Sequence, residues 1–532
     1  MKARPFLASL LAVLLLALSL GAAGWWLVWQ RSPLQLQHRA LLLPRAARFI
    51  PRDAALSLHW LSDGREPVGY ARAVAPARSR REAAEAIARL RDGAFAAAGL
   101  DYDNELAGWL APEISLALFD PPRPAAAGSS DAADSAEGGS WLLALRSRDA
   151  SGARRFLQRF WQTRSLAGTD LQVSSYRGMG LISGRGALVG SRPVPLATAL
   201  IDDDLLLLAS GRGVLEEALD VSQIAELNQA SDPALGAGLA QLGSAAALLV
   251  ANPGAGSPWP DGPLLAALRP EGANLRLEAL LSHPIEEAWA QARFDAGLRR
   301  RLLAVAPPRT ASLALLQDPA LLRRDPLLGP LLERMLPAGP HAGLLPPLVV
   351  ERADGPLLAI DLAGDWLLAT PAGSPPAAAL EAPLAAAGLI PAPLELEGRS
   401  VTVWTRLVAS AARAGRSDRD RLQAPLEGWR GERDGVAVWG GSLAQLEADP
   451  VDRGSRLRER QLEALGSREA PLQWALDGRA ARSLLAGWDP WRRLAALAGG
   501  PLEGSVAGLS LALEPSDGSL RLHGRLEFGA AR

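Results

Sequence analysis

The 532-residue chain carries 56 basic and 57 acidic side chains, a net charge of −1, which excludes an overall nucleic-acid or anionic-lipid footprint. An apolar fraction of 48 % excludes a chain disordered throughout, and the length suffices for two or more domains. With no cysteine, disulfides, thiol catalysis and thiolate metal ligation are excluded, so stability has to come from apolar packing.

The first element is the uncharged run at residues 6–29, FLASLLAVLLLALSLGAAGWWLVW. As a helix it would reach roughly 36 Å, enough to cross a hydrocarbon core of about 30 Å. Lys2 and Arg4 precede it, and Trp25, Trp26 and Trp29 read as an interfacial belt that favours an uncleaved signal anchor over a cleaved signal peptide. The reading is a transmembrane signal anchor over residues 1–31, with the amino terminus cytoplasmic and the body beyond the membrane.

Residues 32–49 read as a polar stalk. In residues 54–61, Leu56, Leu58 and Trp60 alternate with Ser57 and His59, the period of a half-buried strand. Ser79 and Glu82 form a capping-box signature opening a helix to residue 98. Strands are predicted at 113–119 and 141–146, separated by a disordered insertion at 121–140 that is too poor in apolar bulk to pack. A helix at 150–164 aligns Phe156 with Phe160 and Leu157 with Trp161. Strands around 171–176, 180–189, 197–201, 205–209, 245–250 and 275–281 complete a first unit at 50–284. A connecting helix at 285–306 carries Trp289, Phe294, Leu298, Leu302 and Leu303 beside Arg299, Arg300 and Arg301.

Echoes in fixed order divide the chain into two. Pro51-Arg52 is matched by Pro308-Arg309, Trp141-Leu142-Leu143-Ala144 by Trp366-Leu367-Leu368-Ala369, and Leu242-Gly243-Ser244 by Leu465-Gly466-Ser467. The fold class read from this is α+β: an N-terminal transmembrane helix, then two divergent tandem α+β units, the second at 307–532, with mainly antiparallel sheets and helices on one face.

Candidate chemistry is sparse. Asp202-Asp203-Asp204 could hold a hard cation, but its echo Arg433-Asp434-Gly435 is a hairpin turn, and consecutive carboxylates alone do not make an oxygen cage. Gly211-Arg212-Gly213 precedes a helix, yet Glu216 stands where the dinucleotide fingerprint needs glycine, so chain reversal accounts for it. The histidines His38, His59, His283, His341 and His523 show no metal-binding spacing, and HExxH and GxSxG are absent. Among 16 tryptophans, Trp488 and Trp491 around Asp489-Pro490 could grip a sugar or apolar ligand, against the plainer reading that indoles fill cores. No catalytic, cofactor-binding or metal residue is assigned, and no cofactor is expected.

The Trp-Trp-terminated anchor, the stalk and the stretch LPRAARFIPRDA at 43–54, with Leu106-Ala107-Gly108-Trp109-Leu110 before a strand, resemble the cyanobacterial membrane-anchored proteins grouped under a domain of unknown function. That resemblance implies location and architecture over nearly the whole chain and transfers no catalytic residue. The resulting expectation is a membrane-tethered binding or scaffolding protein, its body in the periplasm or thylakoid lumen. Its partners would be the membrane through residues 6–29 and an envelope protein or apolar ligand, with no nucleic acid. The alternatives are a carboxylate-dependent extracytoplasmic hydrolase and a lipid-handling module.

Overall fold

The computed structural model describes residues 32–97, 99–119, 140–166, 170–187, 193–252, 264–308, 310–337, 343–396, 398–410, 421–447, 457–488, 491–492, 504–516 and 519–529. The predicted insertion falls almost entirely outside these residues, and so does the whole run at 6–29. Two compact units divide the chain: Met1–Leu249 with Ala267–Ala273, and Val250–Ala266 with Asn274–Arg532.

The first unit is built on strands β1 (Leu56–Trp60), β2 (Leu110–Phe119), β3 (Ser140–Ser147), β4 (Leu171–Tyr176), β5 (Met179–Ala187), β6 (Pro193–Ile201), β7 (Leu205–Ala209) and β8 (Ala247–Ala251). Their spatial order is β8-β1-β2-β3-β7-β6-β5-β4, antiparallel from β1 to β4. Strand β3 shows why both faces must be covered. Leu142 and Ala144 join one core with Phe49, Ile50, Leu207, Leu215 and Leu219. Leu143 and Leu145, pointing the other way, join a second core with Trp109, Phe156, Phe160, Trp161 and Leu206. Helix Arg212–Gln223 therefore seals one face and helix Ala150–Leu166 the other, which is why LLAL of β3 and LLLLA of β7 are apolar at consecutive positions.

After β9 (Leu264–Glu271), the strands of the second unit are β10 (Asn274–Leu281), β11 (Ser312–Leu316), β12 (Leu357–Asp361), β13 (Trp366–Pro371), β14 (Leu389–Leu396), β15 (Arg399–Arg406), β16 (Val408–Ser410), β17 (Arg421–Gln423), β18 (Leu426–Arg433), β19 (Val436–Gly440), β20 (Leu472–Asp477), β21 (Val506–Ser516) and β22 (Ser519–Phe528). Apart from the small β16-β17 pair, the order is β10-β22-β21-β20-β11-β12-β13-β19-β18-β15-β14, antiparallel throughout. The eight strands from β20 to β14 follow the same path as β8 to β4. Leu118 pairs with Trp141 in the first unit and Asp361 with Trp366 in the second, so the two tryptophans hold corresponding places. Helices Pro233–Leu242 and Leu457–Leu465 both end at a glycine of positive φ, Gly243 at 73° and Gly466 at 87°, just before β8 and β20.

Several expectations are corrected. The fold class with an N-terminal transmembrane helix, and the single-pass membrane localisation built on it, give way to large antiparallel sheets with helices: no helix among the described residues is long and apolar enough to cross a membrane. The 18-residue helix Arg80–Ala97 has the length for it, but arginines and carboxylates recur along it. Helices cover both sheet faces rather than one. The predicted stalk is packed into the first unit, since Leu36, Ala46, Ala47, Phe49 and Ile50 are buried, Leu41 N–H donates to the Gly243 carbonyl and Arg39 pairs with Glu66 at 2.9 Å. The connecting helix is two helices, Glu287–Ala290 and Ala296–Ala304, the second started by Asp295 accepting from Leu298 N–H. Strand β10, read as closing the first unit, pairs with β22 in the second.

Leu207 is fully buried between Ala144 and Ala199 in the first core. Replacing it with alanine is expected to lower the unfolding free energy by about 2–5 kcal/mol. The same change at exposed Leu407 should shift it by less than about 0.5 kcal/mol, both read from urea denaturation.

Candidate functional site

The acidic triplet closes the β6-β7 turn, with Asp202 and Asp203 at φ of 47° and 62°. Its carboxylates are spent on arginines: Arg45 reaches Asp202 at 2.9 Å and Asp204 at 2.8 Å, and Arg154 pairs with Asp203. No group of three or more His, Asp or Glu side chains among the described residues is placed to hold a metal ion. Gly211, at φ 142°, reverses the chain into helix Arg212–Gln223, where Arg212 pairs with Glu216 one turn on. In the second unit a Cβ at Gly440 would come within 2.0 Å of Gln445, and one at Gly441 within 2.5 Å of Asp365, so close packing fixes these glycines rather than a phosphate.

Tryptophans are structural where described. Trp109, Trp161, Trp289, Trp366, Trp404, Trp429, Trp439, Trp474 and Trp491 are buried, and Trp60, Trp141 and Trp488 are half-buried. Asp489 and Pro490, the centre of the proposed ligand grip, lie outside the described residues. In the connecting segment, Arg299 turns inward and is held by Glu463 at 2.6 Å and by Gln473, while Trp289, Phe294, Leu302 and Leu303 are buried.

The histidines are dispersed. His38 is exposed, and His341 lies outside the described residues. His283 bonds Asp325 at 2.9 Å, and the same carboxylate caps helix Leu328–Met335 through Leu327 and Leu328 N–H. His523 on β22 sits 3.7 Å from Glu514. His59 is the chemically suggestive one: its Nδ1 lies 2.8 Å from Ser115 Oγ across the β1-β2 pair, the spacing of a base and its nucleophile. Both residues are completely buried, as is Ser57, whose hydroxyl donates to Gln229. No substrate can meet them there. His59 Nε2 and Gln229 Nε2 are buried without hydrogen-bond partners. This closed network is a structural feature of the first unit; sequence reasoning saw His59 but missed Ser57, Ser115 and Gln229, whose only signal was the polar face shared by Ser57 and His59.

Carboxyl chemistry has little to build on. Glu217 is pushed above the usual carboxylate range by desolvation and by the charge of Asp53, but it projects from the exposed side of its helix. Asp101, Asp149, Asp220, Glu463 and Glu514 are all held below that range, the first three mainly by hydrogen bonds. Held below that range and already bonded, they are poor proton donors at neutral pH.

What the first unit does leave open is the edge of its sheet. Among the described residues β4 pairs only with β5. Arg177 and Gly178, at φ 52° and 81°, connect the two strands as a type I′ turn, so Tyr176 and Met179 exchange hydrogen bonds and every second residue back from Tyr176 does likewise. The N–H and C=O groups of Leu171, Val173 and Ser175 therefore point away from β5. Val173 is 79 % exposed. At the corresponding edge of the second unit, Leu396 of β14 pairs with Arg399 of β15 as Tyr176 pairs with Met179, and counting back sets Pro391 against Leu171 and Pro393 against Val173. Proline has no N–H to offer, so the second edge is blunted where the first is intact.

Residues 10–281, just over half of the chain, match the family described as a protein of unknown function, DUF3352. The chain belongs to that family. The match shows a domain of unknown function and stops at Leu281, the last residue of β10; it carries no statement about cyanobacteria or membrane anchoring. No curated protein and no solved structure matches the chain.

Burial lowers the His59 pKa from its ordinary 6.5 to about 4, against a smaller opposing effect of the nearby Gln229 side chain. The folded state thus resists the proton that the unfolded chain accepts below about pH 6.5, and stability falls as pH drops through the interval down to about 4. The full loss is about 3 kcal/mol. His59→Leu, which copies fully buried Leu315 at the corresponding place in β11, is expected to flatten this part of the pH dependence. Denaturation midpoints at neutral and acidic pH for both proteins give the measurement.

Proposed function

We propose that this protein works by binding and scaffolding rather than by catalysis, and that it engages an extended segment of a partner protein along β4. The observation that carries the reading is the row of outward N–H and C=O groups at Leu171, Val173 and Ser175 on a strand with no proline. Strand addition to such an edge draws affinity from main-chain hydrogen bonds and tolerates varied side chains. Further support comes from how the polar groups are used: the arginine-bound acidic turn and the sealed His59 network hold the fold and face no substrate.

The test is affinity capture with the full chain and with Val173→Pro, which copies Pro393 of the second unit and removes one outward donor. Species bound by the parent chain and lost by the variant, with capture protecting the amides of residues 171–176 from hydrogen exchange, are expected. Identical captured sets from both chains would overturn strand addition at β4.

A further inference from the structure

Resting on that reading, we propose that the partner at β4 is a second copy of the same chain, the two β4 strands pairing antiparallel about a twofold axis. The strand is self-complementary. Centring the axis on Val173 sets Val173 against its symmetry mate, Leu171 against Ser175, and Gln172 against Ser174. All three outward residues then fall in hydrogen-bonded pairs, making about six main-chain bonds. The exposed Val173 side chain gains an apolar neighbour across the axis.

Charge agrees with this register. Nothing between Leu171 and Tyr176 is ionised, so no like charges oppose each other at the seam. At either end, exposed Asp170 of one copy arrives opposite Tyr176 and next to Arg177 of the other, a pairing of opposite sign occurring twice by symmetry. Arg177 already shares Asp220 with Tyr176 at 2.8 Å, which fixes the turn that receives the incoming Asp170.

Closure explains why β4 is open while β14 is blunted. A twofold pair consumes β4 in both copies and offers no further strand at that seam. Were β14 equally open, a chain could pair at both edges and grow without limit; Pro391 and Pro393 prevent that.

Sedimentation of the purified full chain is expected to show a reversible equilibrium between 56.0 kDa monomer and dimer. Val173→Pro should weaken association by at least about tenfold without moving the melting temperature, because the lost N–H makes no bond within the unit. The cysteine-free background permits a second, independent readout: Val173→Cys should cross-link to itself on oxidation, whereas Gln172→Cys, whose partner is Ser174, should not. A chain that stays monomeric at every concentration, a Val173→Pro variant that associates like the parent, or absence of the Val173→Cys cross-link would each overturn the proposal. If self-association fails while Val173-dependent capture of another protein persists, strand addition at β4 stands and only the identity of the partner is wrong.

Discussion

Both faces of the central strands in each unit are covered, and most of the structure follows from that constraint. An antiparallel sheet with one solvated face alternates apolar and polar residues; here strands such as β7, LLLLA, are buried at every position because helices lie on both sides. Once both faces are used, side chains along the central strands have no route to solvent. A site on either unit must then lie on the covering helices, in a loop or at an edge. The same constraint disarms His59 and Ser115, whose spacing would suit catalysis on an open face but which here only satisfy each other.

Comparison of the two units shows what each specialises in. In the first, Ser57, His59 and Ser115 occupy the positions that Leu313, Leu315 and Leu358 fill in the second, all six buried. Exchanging an apolar trio for a hydrogen-bonded one draws in Gln229 from a separate turn, whose side-chain carbonyl accepts from Ser57. An incomplete network would cost more than the apolar version, since each unpaired buried group forfeits its solvation. A charge on His59 would be costlier still. The polar trio therefore trades tolerance of acid for a directional tie between β1, β2 and the Gln229 turn.

Much of this architecture was legible in the sequence, and the failures have identifiable causes. The recurrence could be read because tryptophans and turn glycines fall at corresponding places along the shared strand path, as with Trp141 and Trp366 or Gly243 and Gly466. Alternation in LSLHW was read as one buried face, yet Ser57 and His59 are the most deeply buried residues of the strand along with Leu56, while Leu58 and Trp60 are half-buried. Period alone reports two faces and cannot say that both are covered. Residues 32–49 looked like a stalk because their polar groups are frequent; Leu36, Phe49 and Ile50 nevertheless provide enough apolar surface to dock, and Arg39 bonds the Leu61 carbonyl at 2.6 Å. The Asp triplet does close a turn, as its echo suggested, but its partners Arg45 and Arg154 are remote in sequence and local spacing carries no trace of them.

An open edge leaves a weaker mark than any of these, because it is defined by which backbone groups lack a neighbour. No residue type announces it. What can be read is the defence, and β14 displays one in LIPAPLEL, where both prolines fall at positions whose N–H would face outward. At the same topological position β4 reads LQVSSY, with neither proline nor charge. Prolines at Pro391 and Pro393 are difficult to explain by the needs of the β14-β15 pair itself, which bonds through the alternate residues. They are explained by a requirement that strand addition be prevented at that edge. Two edges at one topological position, one blunted by prolines and the other left complete, fit pairing at a single edge.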